Sequence, residues 1–407
     1  MKISGADLKI IKDSRGQDTL KSELKSGDFS AIASVPAGKS RGTHETFVLE
    51  SEKALDKFQE IKPQILNRDF EFQEEFDNFL IKLDRTPNKS NLGGNLILAL
   101  SLAFARLKAK SEGKELFEYI LEISNLKAQI SNLPHPIFNV INGGAHATNK
   151  ESKLEFQEFQ VIPSVEDFGI ALSIGREFYN KLQRFLWEKF GKENVSLGDE
   201  AGFSAPFKNN EEAIEILAEL VAKYKYPLRI GLDTAATQFY TDGFYSIDGK
   251  KYSADELNEY YLKLIETYNI LSIEDPFYEE SFDSFASLTA ELRGPDADLR
   301  GRLVIADDLT TTNPERLKTA INKKSGNAIL IKLNQIGTLT ETLNVIKTAY
   351  ENKWQAVVSH RSGETMDDFI ADLAVAVGAW GIKSGAPAAP ERLVKYERIL
   401  KISTILK

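Results

Sequence analysis

Alternation of short apolar runs with longer helical stretches over the second two-thirds of this 407-residue chain constrains its fold more than any other feature. The apolar runs have the length of buried strands, and the stretches between them repeat apolar residues with a helical period. Such alternation predicts a parallel sheet, and about eight strands predict a closed barrel. The predicted strands are "PIFNVING", "EFQEFQVIPS", "LRIGLD", "LSIED", "RLVIADD", "AILIKLN", "QAVVSH" and "WGIKSG".

The order of these elements is irregular at its start. Two strands come first, two long helical stretches follow, and strand–helix units occupy the remainder. The predicted fold class is therefore α/β, with a C-terminal (β/α)8-type barrel of ββαα(βα)6 order. The preceding part has α+β character, with strands over 18–27 and 29–38 and helical patterns over 51–66, 71–83 and 93–111. Prolines interrupt the pattern in "QISNLPHPIF", which predicts an N-terminal α+β capping domain over 1–130 and the barrel, with the active site, over 131–407.

Composition excludes several classes of function. The net charge of −9 argues against general nucleic-acid binding, although a local basic pocket can still bind an anionic substrate. The absence of cysteine excludes disulfides, thiolate zinc sites and cysteine nucleophiles. The N-terminus has no apolar core long enough for a signal peptide, and no run approaches the roughly 20 apolar residues of a membrane span. We expect a cytoplasmic protein, and a surface or secreted pool stays open.

Polar residues stand at the ends of several predicted strands. In a (β/α)8 barrel the carboxyl ends of the strands converge on one pocket, so residues far apart in sequence are predicted to meet there. These residues are Asp233, Glu274 with Asp275, Asp307 with Asp308, Lys332, His360 with Arg361, and Lys383.

Three of these acids, Asp233, Glu274 and Asp307, come from successive strands. Converging carboxylates repel one another and raise each other's pKa, and a divalent cation removes that repulsion. Oxygen ligands without cysteine favour Mg²⁺ over zinc. The alternative is that each acid is an isolated loop residue or a helix N-cap.

The cations in the same set suggest chemistry on an anion. Lys332 interrupts the apolar run 328–331, and burial near a metal and other cations is expected to lower its pKa toward that of a general base. His360, Arg361 and Lys383 suit a substrate with phosphate and carboxylate groups. Structural salt bridges to the same acids are the alternative.

Three loops carry further candidates, each with an ordinary structural alternative. The stretch "PAGKSRGTHE" (36–45) has neither a Walker pattern nor a dinucleotide fingerprint, and is either a mobile lid or a surface loop. Glu200 in "GDEAGF" is either an acid catalyst or part of a turn. His146 in "NGGAH" is, taken alone, more typical of a structural histidine.

Motifs over nearly the whole chain resemble those of the enolase family, in the family's order. "SHRSGET" and "KLNQIGT" are the most specific. The full set is "DSRG", "SNLGGNLILALSLA", "NVINGGAHATN", "FQEFQVIP", "GDEAGFSAP", "IEDPF", "ADDLTTTNP", "IKLNQIGTLTET", "VVSHRSGET", "FIADLAV" and "GIKSGAP…ER". The resemblance implies a glycolytic and gluconeogenic lyase, phosphopyruvate hydratase, that reversibly dehydrates 2-phospho-D-glycerate to phosphoenolpyruvate. It also implies a homodimer or a larger homo-oligomer.

The resemblance also implies a role for each matching residue. Lys332 corresponds to the base that removes the C2 proton, and Glu200, with Glu158 beside it, to the acid that assists loss of the C3 hydroxyl. Two Mg²⁺ per active site are implied, the first on Asp233, Glu274 and Asp307 and the second involving Ser40 once substrate is bound. The implied substrate-binding residues are Ser40, His146, Gln157, His360, Arg361, Ser362 and Lys383.

The loop around Ser40 departs from the family pattern. It reads "GKSRG" where the family usually has GASTG, so Lys39 and Arg41 flank Ser40. Two added cations beside a phosphate-facing loop are expected to change the Michaelis constant or its salt dependence.

Other departures fall outside the implied base, acid and metal ligands. Ala201 replaces a glycine, which costs about 1 kcal/mol if the position requires a positive φ. The remaining ones are Gln238 for glutamate, Ala389 and Pro390 for Arg-Ser, and "DSRGQDTLKSEL" in place of a more apolar strand pattern. A lyase or racemase elsewhere in the enolase superfamily, and a non-catalytic binding relative, are the alternatives to an active enolase.

Overall fold

The computed structural model describes residues 1–39, 44–126, 133–293 and 301–406. Its N-terminal part packs a three-stranded antiparallel sheet, in the order β1-β2-β3, against helices. The predicted strands and helices are confirmed here, while β1 and α4 were not predicted. The elements are β1 (Gly5–Lys12), β2 (Asp18–Ser26), β3 (Phe29–Ser34), α1 (Ser51–Ile65), α2 (Gln73–Asp84), α3 (Gly94–Ser111) and α4 (Leu116–Ser124).

The remainder of the chain forms the barrel and its surrounding helices. Its elements are β4 (His135–Asn142), β5 (Glu158–Pro163), α5 (Phe168–Phe190), β6 (Ser196–Leu197), β7 (Phe203–Ser204), α6 (Asn210–Tyr224), β8 (Leu228–Asp233), β9 (Tyr240–Thr241), β10 (Phe244–Ile247), β11 (Lys250–Tyr252), α7 (Ala254–Tyr268), β12 (Ile270–Glu274), α8 (Phe282–Leu292), β13 (Leu303–Ala306), α9 (Pro314–Lys323), β14 (Ala328–Ile331), α10 (Leu333–Ile336), α11 (Leu339–Glu351), β15 (Gln355–Ser359), α12 (Phe369–Ala376), β16 (Gly381–Lys383) and α13 (Pro390–Ile405).

Eight strands close the barrel in the order β4-β5-β8-β12-β13-β14-β15-β16, and β16 pairs with β4. The predicted ββαα(βα)6 order is confirmed. The expectation of a parallel sheet is wrong for β5, which pairs antiparallel with both β4 and β8. The connection from β4 to β5 carries only a short 3₁₀ turn at Gly144–His146. Without a crossover helix to return the chain to its starting end, the next strand runs in the opposite direction.

Local capping explains where several helices around the barrel begin. A side-chain oxygen at the N-cap accepts a hydrogen bond from a backbone N–H of the first turn, which would otherwise lack a partner. The N-caps with such bonds are Asp167 of α5, Asn209 of α6, Ser253 of α7, Asn313 of α9 and Thr338 of α11.

Among the described residues, no helix combines the length and apolar character needed to cross a membrane.

Strand alternation directs the site residues toward the barrel mouth. A separate buried cluster contains Leu303 and Ile305 of β13 and Ala328 and Leu330 of β14, together with residues of β4, β5 and β15. Because side chains alternate along a strand, the positions two residues further on face the same side. Those positions are Asp307 and Lys332, which therefore lie above the apolar filling of the barrel.

A buried acid ties the N-terminal part to the barrel helices. Asp77, in α2, accepts hydrogen bonds from the backbone N–H and the hydroxyl of Thr340 at 2.9 and 2.6 Å, and from Nε2 of Gln73 at 3.0 Å. Burial raises the pKa of Asp77 to about 6, and the hydrogen bonds only partly offset this rise. The folded protein therefore keeps this proton at pH values at which the unfolded chain has lost it.

We expect the stability contributed by protonated Asp77 to be complete below its usual pKa of 3.8 and to be lost as the pH rises through about 6. Over this window the wild type should lose about 3 kcal/mol of unfolding free energy relative to Asp77→Asn, which cannot ionise. Denaturant unfolding at the two pH limits measures the difference. Asp56→Asn, on the exposed side of α1, is the control and should follow the wild type. Parallel pH dependences for Asp77→Asn and the wild type would contradict the prediction.

Candidate active site

A polar pocket opens at the carboxyl ends of the barrel strands, between the barrel loops and the N-terminal part. Most residues singled out from the sequence line it, and Gly38, Lys39 and Glu45 enter it from the N-terminal part. Ser40 and Arg41 fall outside the described residues, and so does the predicted domain boundary between 130 and 131. The predicted residues that line the pocket are His146, Gln157, Glu158, Glu200, Asp233, Asp307, Lys332, His360, Arg361, Ser362 and Lys383.

Three acids at the ends of adjacent strands surround one lysine. Glu158, Asp233 and Glu274 stand opposite one another in the register of β5, β8 and β12. Nζ of Lys383, at the end of β16, lies 3.0 Å from a carboxylate oxygen of Glu158, 3.0 Å from Asp233 and 2.9 Å from Glu274. Burial lowers the pKa of Lys383, but the carboxylates outweigh it and raise this pKa well above its usual value. Lys383 is thus a stable cation that offsets part of the acidic charge.

Charge crowding remains around Glu274 despite this lysine. Burial, followed by the negative charge of Asp233, raises the pKa of Glu274 well above its usual value. Burial also acts to raise the pKa of Asp233, but Lys383 outweighs it and the pKa is lowered. Asp233 is therefore the more stable anion of the pair.

Lys332, which follows β14, contacts Asp307, which follows the adjacent strand β13. Its ammonium donates to a carboxylate oxygen of Asp307, and Nε2 of Gln335 donates to the other oxygen at 3.3 Å. Burial acts to lower the pKa of Lys332, but the charge of Asp307 outweighs it and the pKa is raised. The sequence-based expectation of a lowered pKa is therefore wrong for this arrangement, because a carboxylate contacts the ammonium directly.

Among the described residues, two sets of three side chains each bring one metal-ligating atom per residue within 4.8 Å of one another. These sets are Asp275, Asp307 and Asp308, and His146, Glu158 and Glu200. Asp275 also accepts the backbone N–H groups of Asp307 and Asp308, at 3.0 and 2.7 Å. Burial, with the charge of Asp307, raises the pKa of Asp308 to about 7.

The predicted metal ligands thus reach one end of the barrel in two subgroups. Asp233 and Glu274 share Lys383, while Asp307 lies with Asp275 and Asp308 and contacts Lys332. Asp275 is an acid of this site to which the sequence reading gave no role.

Glu158 and Glu200 lie on either side of one histidine, and their pKa values are shifted in opposite directions. His146 lies between them, with Nδ1 3.5 Å from Oε1 of Glu158 and 3.8 Å from Oε1 of Glu200. Burial and the charge of Glu200 raise the pKa of Glu158. Burial acts the same way on Glu200, but His360 and His146 outweigh it and lower that pKa well below its usual value. Glu158 is therefore the member of the pair better able to keep a proton.

The Glu200 loop is held close to β4. Nδ2 of Asn139, in β4, donates to Oε2 of Glu200 at 2.9 Å. Gly202 permits this approach, because a Cβ there would lie 2.1 Å from Oδ1 of Asn142. Ala201, between Glu200 and Gly202, has a φ of 62°. Alanine therefore replaces the family's glycine at a position whose backbone is in the left-handed region, where a Cβ causes strain.

We expect Ala201→Gly to raise the free energy of unfolding by about 0.5–1 kcal/mol, since glycine adopts this φ without a Cβ penalty. Thermal or denaturant unfolding measures the change. Ala218→Gly, within α6, is the matched control and should instead lower stability by about 1 kcal/mol. A loss of stability in both variants would show that position 201 carries no strain.

The N-terminal part contributes an acid to the pocket. Glu45 binds Arg361 with both carboxylate oxygens, at 2.9 Å to Nη1 and 3.3 Å to Nη2. Oδ1 of Asn334 accepts from the same Nη1 at 3.0 Å. Arg361, the residue that follows His360, is thereby oriented from a loop outside the barrel.

Two residues that differ from the family pattern, Lys39 and Gln238, contact the loop that carries His146 or its neighbours. Nζ of Lys39 donates to the carbonyl of Ala145 at 3.1 Å and lies 3.5 Å from Asp199. The backbone N–H of Ala145 donates to Oε1 of Gln238 at 3.1 Å, and Gln238 donates to Oε1 of Gln157. Lys39 and Gln238 therefore hold the loop that carries His146 from both sides.

Two further predicted residues are placed by neighbours. Gln157 donates through Nε2 to Oδ2 of Asp233 at 3.2 Å. The hydroxyl of Ser362 accepts from the backbone N–H of Lys39 at 2.9 Å and from Nη1 of Arg15 at 3.2 Å. The "DSRG" motif thus supports the edge of the pocket through Arg15.

Some contributors were missed for identifiable reasons. Asn139 is a polar residue inside an apolar strand, the same signal that singled out Lys332, and it could have been found that way. Glu45 is the last residue of the quoted stretch 36–45 but received no role, because no strand end or spacing distinguished it within that loop. Arg392 belongs to the quoted "ER" motif but received no role.

Two family models match the chain. One, described as "Enolase, N-terminal domain", covers residues 3–120, and the other, "Enolase, C-terminal TIM barrel domain", covers residues 130–407. The chain belongs to the enolase family. The enolase of Methanocaldococcus jannaschii is 42% identical to it over 407 residues, covering 96% of this chain and 92% of that protein. The enolases of Methanosarcina acetivorans and Thermococcus gammatolerans are each 40% identical over 98% of this chain, and 94% and 93% of their own lengths are covered.

Membership of the enolase family confirms the predicted fold class, a barrel preceded by a smaller domain, and the enzyme class, a lyase with phosphopyruvate hydratase activity. Enolases generally depend on Mg²⁺. The donor chemistry here fits that ion, because Asp233, Glu274 and Asp307 offer buried carboxylate oxygens, and those of Asp233 and Glu274 lie close enough to share the ammonium of Lys383.

Proposed function

We propose that this chain reversibly converts 2-phospho-D-glycerate to phosphoenolpyruvate through removal of the C2 proton by Lys332 and acid-assisted loss of the C3 hydroxyl. The observation that carries this proposal is the placement of base and acid. Lys332 directly follows β14, and Glu158 is the first residue of β5, at the same mouth of the barrel. In the eight-stranded barrel β5 and β14 lie diametrically opposite each other, four strands apart in both directions. A substrate between them has a base on one side and an acid on the other.

Lys332 acts as the base once its ammonium has lost a proton. Its contact with Asp307 fixes the position of Nζ, and the same contact keeps the pKa raised. Because the C2 proton lies next to a carboxylate, the resulting carbanion carries additional negative charge, which nearby cations must stabilise.

Glu200 and Glu158 supply the proton to the leaving C3 hydroxyl, which departs as water. Glu200 is held by Asn139 and faces His146, and Glu158, whose pKa is raised by burial and by the charge of Glu200, lies beside it as the second proton donor. An anionic substrate bound next to Glu200 would raise the pKa of Glu200, since a like charge disfavours its ionised form.

The anionic groups of the substrate are bound by the cationic and polar side chains of the same pocket. Arg361 presents a planar guanidinium suited to a phosphate, and Glu45 orients it. The proposed substrate-binding residues are Ser40, His146, Gln157, His360, Arg361, Ser362 and Lys383.

Asp233, Glu274 and Asp307 would hold the first Mg²⁺, and Ser40 would contribute to a second once substrate is present. When bound, Mg²⁺ supplies positive charge that stabilises the substrate carboxylate as the C2 proton leaves and neutralises the Asp307 that otherwise keeps Lys332 protonated.

A hydrogen-exchange experiment tests the division of roles. In deuterated buffer with Mg²⁺, Glu200→Gln and Glu158→Gln should still exchange the C2 proton of 2-phosphoglycerate while forming phosphoenolpyruvate roughly 10²–10⁴-fold more slowly. NMR of the substrate measures exchange, and absorbance of the product measures elimination. Loss of both exchange and elimination in these variants, with folding intact, would contradict the assignment of the two glutamates to the second step.

The proposal extends to the setting of the enzyme. We propose a homodimer or larger homo-oligomer in the cytoplasm, with a capping domain over 1–130 and a catalytic barrel over 131–407. The family and the acidic net charge of −9 support a small-molecule substrate rather than a nucleic acid.

A further inference from the structure

One arginine lies buried behind the candidate site and joins its loops. Arg392, near the start of α13, is fully buried. Its Nη1 donates to the carbonyl of Arg361 at 2.7 Å, and its Nη2 donates to the carbonyls of Ser362 and Asp199 at 2.6 and 2.9 Å. The guanidinium thus connects the loop that follows β15 with the loop that carries Glu200.

The same guanidinium determines the proton position on His360. Nη1 of Arg392 lies 2.6 Å from Nδ1 of His360. A guanidinium has only donors, so Nδ1 must accept, and the proton of the neutral ring must sit on Nε2. Burial lowers the pKa of His360 to about 4, which makes the neutral ring the dominant form near pH 7.

The protonated Nε2 is then the ring nitrogen nearest to the carboxylate proposed as the acid. Nε2 of His360 lies 3.5 Å from Oε2 of Glu200, the oxygen that Asn139 also contacts. With the proton on Nδ1 instead, the N–H would oppose the guanidinium and the Nε2 lone pair would oppose the carboxylate. The Nε2–H tautomer accepts from the guanidinium and places a donor on the side of the carboxylate, and the Nδ1–H tautomer does neither.

We propose that Arg392 is a positioning residue that fixes the Nε2–H tautomer of His360 and, through it, the orientation of the Glu200 carboxylate. The proposal rests on the function proposed above for Glu200. Arg392 acts through His360, and its other bonds to carbonyls keep the two loops at the distance that this contact requires.

The tautomer can be read directly by NMR of protein labelled with ¹⁵N-histidine. The chain has four histidines, and His360→Gln identifies the signals of His360. We expect the wild type, near pH 7 and without substrate, to show a protonated Nε2 and an unprotonated Nδ1 at this residue. A proton on Nδ1, or a doubly protonated ring, would overturn the proposal whatever the variants do.

Arg392→Lys tests the causal step, because an ammonium keeps the charge but cannot donate to the ring and to both loops from one plane. We expect the pure Nε2–H signature to be lost and kcat to fall on the order of tenfold to hundredfold, with KM little changed. Arg398→Lys is the matched control on the same helix. Arg398 pairs with Asp372 and Glu115, at 2.6 and 2.8 Å, and its replacement should leave the tautomer and kcat as in the wild type.

A fall in kcat of Arg392→Lys with an unchanged His360 tautomer would overturn the proposal and reduce Arg392 to a structural support. The spectra need no turnover, so they separate this inference from the proposed reaction. If the wild type shows the Nε2–H form but does not convert 2-phosphoglycerate, the tautomer assignment holds and the proposed function fails. If Arg392→Lys does not fold, the wild-type spectrum still decides the tautomer.

Discussion

Replacing Lys332 with alanine is expected to lower kcat for phosphoenolpyruvate formation by roughly 10²–10⁴-fold, the range for loss of a positioned general base. Nζ of Lys332 contacts Asp307 at the mouth of the barrel, and alanine leaves no nitrogen at that point. Because the base acts on C2, the variant should also fail to exchange the C2 proton with solvent. This result separates it from the Glu158 and Glu200 variants, which should retain exchange. Steady-state kinetics and NMR of the substrate provide both measurements.

A matched control removes a different buried ammonium. Lys89 is buried and pairs with Glu341 at 3.0 Å, at the contact between the N-terminal part and α11. Lys89→Ala should lower stability but leave kcat within a small factor of the wild type. If Lys332→Ala retained C2 exchange at the wild-type rate, another group would have to be the base.

Replacing Lys383 with methionine is expected to cost about 3–5 kcal/mol of unfolding free energy in the presence of a chelator. The reason is the loss of a cation that, alone among the described residues, contacts Glu158, Asp233 and Glu274 together. Saturating Mg²⁺ should recover more stability in this variant than it adds to the wild type, because the acids then bind the metal without competition from the ammonium. Urea unfolding with chelator and with Mg²⁺ gives the four values required.

Lys395→Met is the control for this comparison. Lys395 is equally buried and donates to Glu364 at 2.8 Å and to the carbonyl of Thr365 at 2.6 Å, away from the three acids. Its loss should lower stability, but Mg²⁺ should give it no larger increment than the wild type receives. Equal Mg²⁺ increments in all three proteins would contradict the assignment of Asp233 and Glu274 as metal ligands.

The barrel and much of its mouth could be predicted from sequence because both follow from local periodicity. Asp307 and Lys332 stand two residues beyond Ile305 and Leu330, which belong to the apolar cluster inside the barrel. Because side chains alternate along a strand, Asp307 and Lys332 face the same side as these apolar residues. The direction of β5 could not be predicted in the same way. It depends on the absence of a crossover helix between β4 and β5. The sequence of the loop between two strands does not by itself decide whether the second strand runs parallel or antiparallel to the first.

Contacts made by residues outside the barrel strands could not be predicted from the periodicity of the sequence. Glu45 reaches Arg361 from the N-terminal part, and Arg392 reaches His360 from the last helix. Their sequence distances of 316 and 32 residues carry no periodicity that would connect them.

The pKa of Lys332 shows a second kind of property that could not be predicted from the sequence. Sequence placed it among cations, which would lower its pKa, but the result depends on which charge is nearest. In the structure that charge is the carboxylate of Asp307, and the pKa is raised. The sign of a pKa shift thus requires distances, even when the set of residues is known.

The most direct test of the account is turnover by the wild-type protein. After metal is removed with a chelator, 2-phosphoglycerate is added and the ultraviolet absorbance of the enol product is followed with and without Mg²⁺. The account predicts phosphoenolpyruvate only when Mg²⁺ is present. A folded protein that forms no phosphoenolpyruvate with Mg²⁺ would contradict it, and would favour a different lyase of the superfamily or a binding protein built on the same barrel.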